Sequence, residues 1–363
     1  MIFNTKEYEE RIKKLRIEME KNELDSIVLT DSSNLFYTSG SEIETGALIL
    51  PMEKEPILVV TPKFQVEKIK NETWINDIRP VDKLYKDLTK IVKEAEKKKL
   101  GFDALNSLPG VVREELQNNL EVPLVDVGNI LLKTRETKSQ AEIQATKETA
   151  ALNNKLDQVF FETAKEGISE KEIYTELIYA LHQCGGERIH ISMTTGFPNY
   201  WMHYKPYPRE LKDGDLIFCE IAPQLKGYWT ETLRMVVIGK LKREFRDLFE
   251  IEVAAVDHVI KELRPGAVSD EIYKSLLDFV HETKIALMDY TDTMTHGAGL
   301  TLSDLPNIRY DTKDTIKVGQ SLCLHPILLF PYMGSEFMVG EHGIITENGC
   351  EIITKRQTEL IAI

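Results

Sequence analysis

Residues 220–231 read Glu-Ile-Ala-Pro-Gln-Leu-Lys-Gly-Tyr-Trp-Thr-Glu, a stretch that predicts a β-hairpin with one acidic residue at each end. A four-residue turn from Gln224 to Gly227 would place Glu220 directly opposite Glu231. Alternate positions on that face are otherwise apolar: Leu216, Phe218, Ala222, Leu233, Met235 and Val237. Two carboxylates in apolar surroundings need a bound cation, a shared proton or a basic partner, because unpaired buried charge is unfavourable. The hairpin therefore indicates where the chemistry of this chain lies.

A second hairpin is predicted to repeat this arrangement. His325 and Glu341 would face each other across a loop centred near Met333. Between the two hairpins, residues 295–300 read Thr-His-Gly-Ala-Gly-Leu, and the glycines would let the backbone approach a site closely. Together these segments predict a constellation of Glu220, Glu231, His296, His325 and Glu341. Carboxylate and imidazole groups suit Mn, Co, Fe or Zn, and a dinuclear site would hold a bridging water and polarise an amide carbonyl.

Composition limits the classes of partner. A length of 363 residues suggests two domains, and a formal charge of -14 argues against nucleic acid or an anionic membrane as partner. The N-terminus lacks the pattern of a signal peptide, and the longest apolar run, residues 322–333, is too short and too interrupted to span a bilayer. The four cysteines are scattered without a Cys-x-x-Cys pair. We therefore expect reduced cysteines in a cytoplasmic protein.

The chain changes character near residue 132. Residues 1–131 alternate helical and strand patterns, which predicts an α/β domain whose clearest role is to supply an interface. Beyond this point, helices are predicted over about 138–164, 241–263 and 269–284. A further helix is predicted to begin at a capping box formed by Ser169 and Glu172. Strands are predicted near 321–330 and 338–346. The order of helix, helix and hairpin occurs twice, and all eight histidines lie at or after His182.

These residues resemble the pita-bread family of Xaa-Pro dipeptidases, aminopeptidase P, methionine aminopeptidases and creatinase. The resemblance covers essentially the whole chain, including residues 31–40, 132–143, 203–206 and 296–300. It implies an α/β (α+β) protein with a creatinase-type N-terminal domain over 1–131 and a pita-bread catalytic domain over 132–363. It also implies a homodimer, because family members usually pair through the N-terminal domain.

The resemblance also implies roles for single residues. A metallopeptidase of this family would normally carry Asp, Asp, His, Glu and Glu at positions 220, 231, 296, 325 and 341, so three of the five positions differ here. His203 matches the active-site histidine, which would donate a proton or stabilise an oxyanion. We expect Glu341 to act in catalysis and in metal binding, and Tyr228 and His342 to contact the substrate. A core position is the alternative for Tyr228, and His325 could be a ligand, a substrate contact or a core residue.

We therefore predict a hydrolase of C–N amide-type bonds that resembles an Xaa-Pro dipeptidase or aminopeptidase. One or two divalent metal ions would assist it, and the substrate would be a small peptide. One alternative is a metal-independent enzyme similar to creatinase or ectoine hydrolase, in which the carboxylates bind a small cationic amidine substrate. Another is a non-catalytic peptide-binding protein that keeps the fold.

Overall fold

A computed structural model describes residues 1–94, 99–120, 122–196, 205–283, 286–287, 295–330 and 335–363. Internal packing divides the chain into two units, Met1–Arg135 and Glu136–Ile363. The division between residues 131 and 132 made from the sequence stays a prediction. Within the described ranges, no helix is long and apolar enough to cross a membrane.

The first unit is built on one mixed sheet. Its strands are β1 (Ser26–Leu29), β2 (Gly46–Pro51), β3 (Ile57–Val60), β4 (Asp77–Pro80), β5 (Leu100–Phe102) and β6 (Leu124–Asp126). Its helices are α1 (Thr5–Lys21), α2 (Ser32–Ser39), α3 (Val66–Glu72), α4 (Leu84–Glu94), α5 (Gly110–Leu120) and α6 (Gly128–Glu136). The strand order is β4-β3-β2-β1-β5-β6, with β1 antiparallel to β2 and parallel to β5.

Apolar clusters cover both faces of this sheet. Leu15 and Met19 of α1 pack with Ile27 on one face, and Leu88 of α4 belongs to a second cluster with Val28. Adjacent strand residues point to opposite faces, so the run Ile27-Val28 serves both clusters. This arrangement is the helix-covered sheet that the alternating pattern predicts.

The second unit contains longer helices and several sheets, in which the strand pairs are antiparallel except for the parallel pair of its last strand. Its helices are α7 (Gln140–Thr163), α8 (Glu170–Gln183), α9 (Arg243–Glu262) and α10 (Ser269–Thr283). Its strands are β7 (Arg188–Gly196), β8 (Leu216–Leu225), β9 (Tyr228–Trp229), β10 (Thr232–Val237), β11 (Ala286–Leu287), β12 (Thr295–Gly297), β13 (Asp304–Ile308), β14 (Ser321–Leu324), β15 (Ile327–Phe330), β16 (Ser335–Met338), β17 (Glu341–Thr346), β18 (Gly349–Ile352) and β19 (Ile361–Ala362).

Two helix pairs pack against opposite faces of the β8–β10 hairpin. Ile217 of β8 lies in the cluster that contains Leu177 of α8, whereas Phe218 lies in the cluster that contains Phe249 of α9. The capping box predicted for α8 is present, because Ser169 accepts from the backbone of Glu172 and the Glu172 side chain accepts in return. One strand order is β19-β10-β8-β7 and another is β13-β12-β14-β17-β18.

The register predicted for the hairpin at residues 220–231 is wrong by two residues. Leu225 pairs with Tyr228, so Lys226 and Gly227 form a two-residue turn, and Glu220 pairs with Leu233. Lys226 and Gly227 have φ of 54° and 76°, the positive values that a type I′ turn requires. A shift of two residues keeps the same face, so both carboxylates stay on the predicted side but are not directly opposite.

The strand predicted over residues 321–330 is interrupted. Strand β14 ends at Leu324 and β15 begins at Ile327 because Pro326 has no N–H to donate to a ladder. Glu341 pairs with Leu324, so the predicted opposition of His325 and Glu341 is wrong by one residue. The loop predicted around Met333 lies outside the described residues.

Candidate metal centre

Three neighbouring strands align nitrogen and sulfur side chains in one row. His296 of β12 pairs with Cys323 of β14, which pairs in turn with His342 of β17. Residues directly opposite each other in antiparallel strands point to the same face. His325 follows Cys323 by two residues, and its ring lies edge-on to that of His296, with centroids 4.9 Å apart.

Glu231 lies between β9 and β10 and reaches this row. Its Oε1 is 3.4 Å from His325 Nε2, and its Oε2 is 3.8 Å from His296 Nε2. An isolated bridge between Leu233 and Gly340 holds this end of β10 beside β17. Burial, followed by the nearby Glu220 carboxylate, raises the pKa of Glu231 well above its ordinary value. The electrostatic conflict expected from the sequence is therefore present.

His296 presents a lone pair to Glu231. Its Nδ1 lies 3.0 Å from the carbonyl oxygen of Gly297, which can only accept, so Nδ1 carries the hydrogen. Burial lowers the pKa of His296, which keeps the ring neutral and leaves Nε2 unprotonated. Nε2 and a Glu231 oxygen are then two electron-pair donors facing each other. A proton or a metal cation between them resolves this arrangement.

His325 supplies a second neutral imidazole. The side chain is buried, and neither ring nitrogen has a hydrogen-bond partner. Burial, with a further contribution from His296, lowers the pKa of His325 to about 3. Buried polar atoms in proteins are normally hydrogen-bonded, so two orphaned nitrogens beside a carboxylate need another partner. Two neutral imidazoles and a carboxylate fit a first-row divalent metal ion.

Glu220 lies at a more accessible position than Glu231. Its side chain is 13% exposed, and its Oε1 is 3.3 Å from Nε2 of His190 on β7. Glu220 therefore lies beside the His190 imidazole, and its negative charge also raises the pKa of Glu231.

Glu341 binds a buried arginine. Its Oε1 is 3.2 Å from Nη1 of Arg234, and its Oε2 accepts from the Thr354 hydroxyl at 2.8 Å. Arg234 also donates from Nε to Asp157 at 2.8 Å, and the backbone N–H of Gln357 donates to Glu341 Oε1 at 3.1 Å. Burial raises the pKa of Glu341, and Arg234 opposes that shift. These bonds engage both oxygens of Glu341, and its expected roles in metal binding and catalysis stay predictions.

Comparison with known proteins identifies the family. The sequence model of metallopeptidase family M24 matches residues 144–353, and that of the creatinase/prolidase N-terminal domain matches residues 11–137. The chain belongs to metallopeptidase family M24. This M24 chain is accordingly a hydrolase of the peptidase class, and its membership implies dependence on a divalent metal ion.

Relatives of this M24 chain cover nearly its full length. An Xaa-Pro dipeptidase from Pyrococcus horikoshii is 24% identical over 361 residues, covering 97% of this chain and 99% of the relative. The crystal structure of the prolidase from Pyrococcus horikoshii OT3 matches with a TM-score of 0.88 at 22% identity, covering 97% and 100% of the two chains. A prolidase from Thermococcus sibiricus matches with a TM-score of 0.88 at 20% identity, covering 98% and 99%. The predicted creatinase-type and pita-bread fold is confirmed.

Two predicted substrate contacts of this M24 chain lie in its interior. Tyr228 is fully buried and donates to Glu142 Oε1 at 2.9 Å, in keeping with the core position left open for it. His342 is also fully buried, with Nε2 2.8 Å from the hydroxyl of Ser321. Their roles in substrate binding stay predictions. His203 lies outside the described residues, and its role stays a prediction too.

Gly297, next to His296, lies against the backbone of a neighbouring strand, and the expectation that these glycines let the backbone approach the site stays a prediction. A Cβ on Gly297 would lie 2.1 Å from the carbonyl oxygen of Leu305. A Cβ on Gly299 would lie 2.8 Å from Oδ2 of Asp304. The contact at Gly297 excludes a side chain because it is with backbone, whereas the contact at Gly299 is with a side-chain oxygen that would have to shift.

Two residues that lie beside the predicted site residues of this M24 chain, His190 and Cys323, were not among the candidates predicted from the sequence. Cys323 was expected only to be one of the four reduced cysteines. Its spacing of two from His325 was the available signal, because alternate residues of a strand share a face. His190 follows an alternating strand pattern with no ligand spacing, so no local signal pointed to it.

Proposed function

We propose that this M24 peptidase hydrolyses the amide bond of Xaa-Pro dipeptides with a divalent metal ion held by Glu231, His296 and His325. The observation that carries the proposal is the convergence of the Nε2 atoms of two neutral imidazoles, His325 and His296, on one buried carboxylate, at 3.4 and 3.8 Å. The Xaa-Pro dipeptidase activity of the Pyrococcus horikoshii relative supports the choice of substrate.

The residues of the chain would prepare the site for hydrolysis. A bound divalent ion would lower the pKa of a water molecule and polarise the scissile carbonyl. Gly297 orients the His296 ring through its carbonyl oxygen, which fixes the tautomer with Nε2 available. We propose Glu220 as a further ligand on the more exposed side, held by His190. Glu341 and His203 keep their predicted catalytic roles, with His203 as proton donor or oxyanion stabiliser.

The donor chemistry favours a metal over a cationic substrate. Both a metal ion and an amidine or guanidino group need Glu231 to be ionised, but the two neutral imidazoles beside it are common ligands of first-row divalent metals. The family model and the dipeptidase relatives support a peptidase over both the metal-independent enzyme and the non-catalytic alternative.

Location and assembly are further parts of the proposal. All four cysteines are free thiols, which supports a reducing compartment such as the cytoplasm. A homodimer paired through the N-terminal domain follows from the family resemblance. Light scattering on the eluting protein would test the dimer, and a monomeric mass would contradict it.

Metal content and substrate selectivity test the function together. We expect purified protein loaded separately with Mn, Co or Zn to retain at least one equivalent of metal by mass spectrometry. The loaded protein should hydrolyse Leu-Pro faster than Leu-Ala, with creatine and ectoine run as alternative substrates. The proposal would be contradicted if no metal is bound after all three loadings. It would also be contradicted if the protein hydrolyses creatine or ectoine and neither dipeptide.

A further inference from the structure

Cys323 occupies the centre of the row formed by β12, β14 and β17. It pairs with His296 on one side and His342 on the other, and it shares its strand face with His325. The side chain is only 1% exposed. The Cys323 thiol therefore lies beside the polar side chains of Glu231 and His296, and its surroundings are not purely apolar.

The distances suit joint coordination of one ion. The ligand atoms of Glu231, His296 and Cys323 all lie within 4.8 Å of one another. Ligands of one tetrahedral zinc ion lie about 3.5 Å apart, given bond lengths of about 2.0–2.3 Å. The three side chains would therefore close by roughly 1 Å around a metal. His325 stands as a fourth donor, buried, without a hydrogen-bond partner and 3.4 Å from Glu231.

His342 positions this group and is not free to bind an ion itself. Its Nδ1 accepts from the backbone N–H of Glu231 at 3.3 Å, so the ring hydrogen is on Nε2, which donates to Ser321 Oγ at 2.8 Å. Cys323 Sγ lies 3.5 Å from the same Nδ1. His342 thus anchors the backbone of Glu231 and contacts one side of the Cys323 sulfur. The other side of the sulfur faces Glu231 and His296.

Cys219 offers a matched comparison. It is a fully buried cysteine in β8, and it belongs to the apolar cluster between that strand and helices α7 and α8. Its Sγ lies 3.8 Å from the backbone carbonyl oxygen of Glu220. The metal-capable group found among the described residues contains Cys323 and does not contain Cys219.

We propose that Cys323 binds the metal ion as a thiolate beside Glu231, His296 and His325. The thiol proton leaves to solvent as the sulfur–metal bond forms, so no oxidant or reductant is needed. A thiolate with two imidazoles favours zinc or cobalt(II), whereas manganese prefers oxygen ligands. This assignment rests on the proposed function and deepens it, because it names a ligand and the class of metal.

Cobalt(II) provides the test, since a thiolate bound to cobalt gives a charge-transfer band in the near ultraviolet. We expect this band in the full-length wild-type protein and in Cys219→Ser, and we expect it to be absent from Cys323→Ser. The preference for zinc over manganese, measured by competition, should fall by at least about tenfold in Cys323→Ser. Bound cobalt is measured by mass spectrometry in each sample.

The outcomes separate the two proposals. Cobalt bound to the wild type without the band, or a band that survives in Cys323→Ser, overturns the role of Cys323 and leaves the proposed metal site intact. Failure of every variant and the wild type to bind cobalt, zinc or manganese overturns the proposed function itself. If Cys323→Ser does not fold, X-ray absorption spectroscopy of the zinc-loaded wild-type protein tests the same assignment. A sulfur neighbour at about 2.3 Å is expected there, and its absence overturns the assignment.

Discussion

Arg234 and Glu341 form an ion pair in the interior of the second unit, with Nη1 3.2 Å from Oε1 and neither side chain more than 1% exposed. The same guanidinium binds Asp157 through Nε at 2.8 Å. One cation therefore serves two buried carboxylates that come from a helix and a distant strand. Removing a single partner of such a network leaves buried charge uncompensated.

Arg234→Met should reduce the free energy of unfolding by about 3–5 kcal/mol, because Asp157 and Glu341 would lose their cation. Urea denaturation at neutral pH measures this change. Arg243→Met is the control in the same unit, since its pair with Asp247 is 3.6 Å apart and its side chain is 91% exposed. Similar small effects for both variants would show that the buried network does not stabilise the fold.

Metal affinity should increase with pH. The raised pKa of Glu231 means that its carboxyl group holds a proton at pH values where an ordinary glutamate is ionised, and metal binding must displace that proton. Displacing this one proton should contribute up to about tenfold per pH unit to the rise in zinc affinity below the folded pKa of Glu231. Competition titrations at several pH values measure the slope.

Glu231→Gln should bind zinc more weakly than the wild type. Its zinc affinity should also depend less steeply on pH, because the glutamine amide has no proton to release. His182→Gln, a change at an exposed histidine of α8, serves as the control and should keep the wild-type affinity. An unchanged slope in Glu231→Gln would show that Glu231 does not release the proton.

Glu252 makes stability depend on pH in the opposite sense to a salt-bridged carboxylate. It is fully buried in α9, its Oε1 accepts from Val339 N at 3.2 Å, and its Oε2 has no hydrogen-bond partner. Burial raises its pKa well above 4.5. Above pH 4.5 the unfolded chain loses this proton while the folded chain keeps it, so stability falls as pH rises towards the folded pKa.

Glu252→Gln should remove this loss. The free energy of unfolding of the variant, relative to that of the wild type, should increase by about 1.4 kcal/mol for each pH unit between 4.5 and the folded pKa of Glu252. Denaturant unfolding of both proteins at acidic and at mildly alkaline pH gives the difference. A constant difference across that range would refute a protonated Glu252.

Gly227→Ala tests the turn that aligns the two carboxylates. A φ of 76° favours glycine, so we expect the substitution to lower the free energy of unfolding by about 1–2 kcal/mol. Gly110→Ala is the control, because a Cβ there meets nothing within 4 Å and its φ is not in the left-handed region. Equal stability changes in the two variants would argue against the type I′ turn.

Local sequence determined much of this protein. Alternation along the hairpin put Glu220 and Glu231 on one face, and a shift of two residues could not change that, since side chains alternate with a period of two. The capping box of Ser169 and Glu172 marked the start of α8 because a helix end is satisfied by residues a few positions away. Family motifs along the chain supplied the order of the two domains.

Tertiary structure decided the turn, the ligand set and the partner of Glu341. The Glu187 carboxylate accepts from the N–H groups of Lys226 and Gly227, each at 2.9 Å, and so stabilises a turn that the hairpin's own residues did not predict. Cys323 joined His296 only when β12 and β14 paired, and Glu341 reached Arg234 across 107 positions of sequence. Such contacts depend on how distant strands register, and periodicity within one strand carries no information about its neighbour.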